Sequence, residues 1–88
     1  MDFGKYLKEG IKINPAFQFI IKNEIETHPM VSDQITRHII FDTTMLEYIK
    51  QLHDNKTEQE AENIAKSILQ TLLFQEQANI LKKMRGLD

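Results

Sequence analysis

From Glu58 to Arg85 the chain runs 28 residues without a glycine or a proline, and no other feature constrains the fold as much. The run opens on Thr57-Glu58-Gln59-Glu60, the pattern of a capping box. In that motif the Thr57 hydroxyl accepts from the Glu60 amide, and the Glu60 carboxylate accepts in return from the Thr57 amide. Glu58, Glu60 and Glu62 put negative charge at the positive end of the helix dipole, and Lys82, Lys83 and Arg85 put positive charge at the other end. Gly86 suits the left-handed residue that closes a helix. At 1.5 Å per residue such a helix is about 42 Å long. A chain of 88 residues collapses to a radius of gyration of only about 12 Å. The helix therefore either breaks near Phe74-Gln75-Glu76-Gln77 or projects from its own bundle.

The rest of the chain is punctuated for helices too. Asp2 is placed to cap a short helix over residues 3–9, which sets Phe3 and Leu7 on one side before Gly10 ends it. Asn14-Pro15 is a strong start signal, because Asn accepts a hydrogen bond as N-cap and proline at the first position has no amide to leave unpaired. The next helix runs from Pro15 to about Thr27, with Phe17, Ile20, Ile21 and Ile25 on one apolar face. His28-Pro29 stops it, since a residue before proline is pushed out of helical geometry. Ser32 is the expected cap of a third segment reaching His53, and Asp54-Asn55-Lys56 is a turn. The expected fold is all-α: one domain over residues 1–88, built as a compact bundle of three main helices with a short N-terminal helix. Short connections make sequential helices antiparallel neighbours.

A chain this short buries roughly 60% of the surface it exposes when unfolded, and small domains often add a disulfide, a metal or a partner chain. There is no cysteine, which removes disulfides, thiolate metal sites and a cysteine nucleophile. A partner chain remains. The formal charge is −2, from 13 acidic and 11 basic side chains, and a nucleic-acid binder usually shows a basic excess. The start MDFGKYLKEG carries charges where a leader's apolar segment would sit. No apolar run approaches the ~20 residues of a membrane span. A cytoplasmic location is expected.

Projection at 100° per residue separates the faces. In the last helix Ala61, Ile64, Ala65, Ile68, Leu69 and Leu72 make a stripe that Leu73, Ile80 and Met84 extend, while Phe74, Ala78 and Leu81 fall on the opposite side. A helix apolar on two faces needs two packing partners: its own domain, and either another chain or more core. Phe19, Phe41 and Tyr48 also leave the stripes of their helices, and aromatic residues outside a stripe are frequent interface anchors. Between Ser32 and His53 the expected stripe is Ile35, Ile39, Met45, Leu46, Ile49 and Leu52. His38 and Asp42 lie within it. A buried carboxylate has to be paired, and four-residue spacing lets the imidazole reach it. The pair is read as a buried polar contact that fixes register, with a partner-facing or pH-sensitive role as the second reading.

Catalytic constellations do not emerge. His28, His38 and His53 show no H-x-x-x-H or H-E-x-x-H spacing. The dipeptide His53-Asp54 is too common to mark a metal hydrolase. Ser32 and Ser67 lack a glycine-flanked elbow, and no glycine-rich loop is present to hold phosphate. No cofactor, metal or catalytic residue is expected. The function expected is a non-enzymatic protein-interaction module, a small regulator, adaptor or inhibitor, self-associating as a homodimer through Phe74, Ala78 and Leu81, with Phe41 and Tyr48 as further interface residues. The alternatives are a helix-turn-helix regulator, which the acidic start of the last helix disfavours, and an immunity- or antitoxin-type binder of a basic protein.

Overall fold

The computed structural model describes residues 13–86, so the helix expected over 3–9 lies outside the described residues. These residues form three helices and no strand: α1 (Pro15–Glu26), α2 (Gln34–His53) and α3 (Glu58–Met84). Each start is built as its local sequence demands. Asn14 is extended, and its Oδ1 accepts from the Ala16 amide at 3.0 Å, with Pro15 following at the first helical position. The α2 cap is Asp33, not the expected Ser32: its carboxylate accepts from both the amide and the hydroxyl of Thr36 at 2.9 Å. A carboxylate taking two such bonds is a stronger cap than a hydroxyl one residue earlier, and the bonds hold its pKa below the ordinary value. Thr57 and Glu60 form the full capping box.

The ends are equally local. Asn55 takes the left-handed conformation (φ 65°), and the amides of Asn55 and Lys56 donate to the carbonyls of Leu52 and Gln51. That is a Schellman closure, which asparagine tolerates better than most side chains. Gly86 (φ 70°) closes α3 in the same conformation, with its amide donating to the Lys83 carbonyl. Nothing interrupts α3 at 74–77, where Gln75, Glu76 and Gln77 are all good helix formers.

The core joins Phe17, Ile21 and Ile25 of α1 to Ile40, Met45, Tyr48 and Ile49 of α2, to Ala61, Ala65, Leu69 and Leu73 of α3, and to Val31 in the connection. In α3 the fully buried row recurs every four residues, with Ile64, Ile68 and Leu72 at its half-buried margin. The two alanines at its start leave room for neighbouring helices to come close.

The face of α2 differs from the expected one. Ile35 and Ile39 are exposed (73% and 58%), whereas Ile40, Thr44 and Tyr48 are buried. The buried stripe lies beside the expected one, sharing Met45 and Ile49 with it. Tyr48 is the cause: its ring lies 4.5 Å from that of Phe17, tilted by 32°. An aromatic pair buries more apolar surface than an isoleucine, and it turns α2 towards α1.

α3 has 27 residues against 20 in α2. Its buried residues stop at Leu73, so the last turns extend past the core. The described residues are correspondingly elongated, 47 × 22 × 21 Å with a radius of gyration of 14.3 Å. The projecting alternative is the one realised.

Tyr48 is wholly buried, and no described residue meets its hydroxyl with full hydrogen-bond geometry, although the Asn14 backbone is near enough to favour the phenolate. Burial raises its pKa, and the charges of Glu58 and Glu62 push it further, with the Asn14 backbone offsetting this in part. The folded chain thus holds this proton more tightly than the unfolded chain. Stability contributed by Tyr48 is present below its ordinary pKa of 10.0 and lost as pH rises above it. Tyr48→Phe removes an unpaired hydroxyl without removing the ring. Urea unfolding should show it equal to the parent or more stable by up to about 3 kcal/mol, with a shallower loss of stability above pH 10. A cost above about 1 kcal/mol would mean that the hydroxyl has a partner. Ala65→Leu should lower stability by about 1–3 kcal/mol through overpacking, and an unchanged urea midpoint would show that the alanine row is not a close contact.

Candidate functional site

The residues singled out from sequence do not converge on one place. Tyr48, expected at an interface, is instead a core residue buried on all sides. A stripe through Ile35 and Ile39 would turn its ring outward, but both isoleucines are exposed and the buried stripe runs through Ile40 and Thr44. Phe41 is half-buried against the core and lines an open groove between α1 and α2. Phe74 stands 71% exposed on α3, with Ala78 and Leu81 half-buried one and two turns further along. No α3 residue lines the α1–α2 groove, so Phe41 and Phe74 belong to separate surfaces.

The expected buried pair of His38 and Asp42 is also corrected. The two side chains do meet, with Nε2 3.3 Å from Oδ2, but His38 is 76% exposed and Asp42 20%. The contact is a surface pair. Rotation of the α2 face towards Tyr48 carries both side chains to the rim, where water solvates the charge and no buried partner is required.

Of the other histidines, His28 has a structural task. Its Nδ1 accepts from the amides of Met30 and Val31 at 3.2 and 3.3 Å, which fixes the turn after α1. His53 lies at the last residue of α2. Among the described residues no group of three or more His, Asp and Glu side chains is placed to hold a metal ion, and no helix is long and apolar enough to cross a membrane.

No sequence pattern announces the groove between α1 and α2. It encloses about 560 Å³ over a floor of Ile25 and Phe41, with Phe19 at its edge. Its shape depends on Arg37, whose Nε donates to the Val31 carbonyl at 2.7 Å and whose second nitrogen donates to the Glu26 carbonyl at 3.1 Å. One side chain thereby satisfies a free carbonyl at the end of α1 and ties the connection to α2. The third tie is between α1 and α3, where the Gln70 amide donates to Glu24 at 2.9 Å. The basic residue six positions after Val31 was visible in the sequence, but its carbonyl partners exist only once the chain has turned.

Arg37→Met keeps the aliphatic stem and removes both bonds. Chemical denaturation should show a loss of about 1–2 kcal/mol. Arg37→Lys should recover little, because an ammonium cannot span both carbonyls with a rigid fork. Full stability in Arg37→Met would show that the connection holds without this tie. No protein-family description, curated protein or solved structure matches the chain, and the functional reading is drawn from these surfaces.

Proposed function

We propose that this protein is a non-enzymatic protein-interaction module that self-associates through the C-terminal half of α3, in the manner of a small regulator, adaptor or inhibitor. One observation carries the reading: Phe74 is 71% exposed on a continuous helix whose buried residues end one position earlier, at Leu73. Phe74, Ala78 and Leu81 follow at spacings of four and three, the spacing by which one helix seats its side chains against another. Gln70 and Gln77 flank the start of the row, and Lys82 and Arg85 stand beside its end. An antiparallel pair of copies keeps these basic ends apart, since like charges brought together in a symmetric pair would repel.

A partner other than a second copy would use the same face as an antitoxin-type contact. The nucleic-acid alternative gains no supporting observation: Glu58, Glu60 and Glu62 stand at the start of α3, where a groove-entering helix meets phosphate.

Light scattering on a size-exclusion column across a concentration range tests the proposal. The expected mass is twice the 10.4 kDa of the chain. Phe74→Glu and Leu81→Glu should each weaken association by about tenfold or more, as central apolar residues of an interface do. Both positions lie outside the buried core, so the variants should keep the parent's helical circular dichroism. A monomer at every concentration, or a dimer indifferent to both substitutions, would remove this face from the reading.

A further inference from the structure

The α1–α2 groove is a second surface, independent of Phe74, and its chemistry differs from that of the chain as a whole. We infer that it is the seat of a fourth helix: an amphipathic helical segment of another protein that carries apolar anchors flanked by acidic residues.

The geometry supplies the helical part. Two neighbouring antiparallel helices leave a groove along their length, and in a four-helix bundle another helix fills it. Here α3 accounts for the core row, and the groove is lined from α1 and α2. Phe41 and Ile25 provide an apolar floor, and Phe19 an edge that stays 70% exposed. A small molecule is a poor fit, because such sites bury 70–90% of their ligand and this groove leaves Phe19, one of its two aromatic residues, open. An amphipathic helix laid into an apolar groove matches the dimensions and the exposure.

The rim supplies the charge. Lys22 and Arg37 stand at the groove with His38, against Glu26 in the lining and Asp42, whose Oδ2 lies 3.3 Å from His38 Nε2. Among the described residues neither Lys22 nor Arg37 is in an ion pair. Arg37 is held by two neutral carbonyls, which fix its position without cancelling its charge. In a chain of net charge −2, the groove is thus a local basic site with a fixed guanidinium, and acidic flanks on an incoming helix complement it. Such pairs at a rim govern partner choice and encounter rate more than affinity.

The test uses the full chain labelled with 15N and three designed peptides of about 16 residues, long enough to hold a helix. The first has leucines at the i, i+3, i+4, i+7 positions flanked by glutamates. The second has the same leucines flanked by lysines. The third keeps the glutamates and replaces the leucines with serines. The first should shift the amide signals of Phe19, Lys22, His38 and Phe41, and bind at least about tenfold more tightly than either of the others, a difference of about 1.4 kcal/mol. Lys22→Glu should weaken the first peptide several-fold and strengthen the second, while Phe19→Ser should weaken both.

Several results would overturn the inference. One is the absence of groove shifts with the first peptide up to about 1 mM. Another is equal binding of the acidic and basic peptides, or shifts centred on Phe74 and Leu81. A single-stranded oligonucleotide that moves the groove amides more strongly than the first peptide would assign the site to nucleic acid. Groove shifts on dilution of the protein alone would assign it to a second copy, and proton contacts from residues 1–12 to Phe41 would assign it to the chain's own start.

Discussion

The contact between Phe17 and Tyr48, 4.5 Å between ring centres, is the one on which the rest of the arrangement depends. Tyr48 stands where all three helices meet: its ring packs on α1, and its hydroxyl feels the carboxylates of Glu58 and Glu62 at the start of α3. With only Phe17, Ile21 and Ile25 buried, α1 has little area with which to choose its seat. A large aromatic pair at one end decides that seat, and Arg37 fastens the other end through the Glu26 and Val31 carbonyls. Between these two fastenings α1 and α2 are held at a separation that neither closes on itself nor admits α3. The groove over Phe41 is the consequence.

The same contact explains which side chains of α2 reach water. Because Tyr48 faces inward, the buried residues are Ile40, Thr44, Met45, Tyr48 and Ile49, and the turn that hides them brings Ile35, Ile39 and His38 outward. Burying Thr44 and Tyr48 leaves two hydroxyls without a partner among the described residues. Unpaired polar atoms of this kind cost about 1–3 kcal/mol each. The fold tolerates that cost because the apolar bulk of both side chains is buried by the same move, about 25 cal/mol for each Å² removed from water.

Features set within one turn of helix were mostly legible in the sequence, the exception being the α2 cap, which is Asp33 and not Ser32. The Asn14-Pro15 start, the Thr57 capping box, the Asn55 turn and the Gly86 stop each depend on neighbours a few residues away, and all stand as read. On the outward side of α3 polar Glu60, Asn63, Ser67 and Gln70 precede Phe74, but the sequence alone leaves open whether Phe74, Ala78 and Leu81 meet another chain or more core. The α2 face was not legible. Its apolar residues occupy two adjoining stripes, one through Ile35, Ile39 and Leu46 and the other through Ile40, Thr44 and Tyr48. Hydropathy favours the first, which has three aliphatic residues against one. Packing selects the second, and only the position of Phe17 on another helix decides between them. The groove was illegible for the same reason: Phe19, Lys22, Arg37 and Phe41 come together through the placement of α1 on α2, which no periodicity within either segment encodes.

The distribution of charge bears on partners more than its sum does. A net charge of −2 suggests a protein that avoids anions, yet much of the acidic excess is committed locally. Glu58 and Glu60 sit in the first turn of α3, and Glu60 is occupied with the Thr57 amide and hydroxyl, while Asp33 caps α2. Glu24 is engaged by Gln70 and Asp42 by His38. These carboxylates serve helix ends and helix contacts, where their charge is partly compensated by amide dipoles. Lys22 and Arg37 have no carboxylate partner among the described residues. Screening confines each charge to about 8–10 Å at physiological salt, so a partner at the α1–α2 groove meets those two cations, Glu26 and the His38–Asp42 pair, not the sum over the chain. The acidic total and a basic binding surface are therefore compatible, and the surface is what a partner reads.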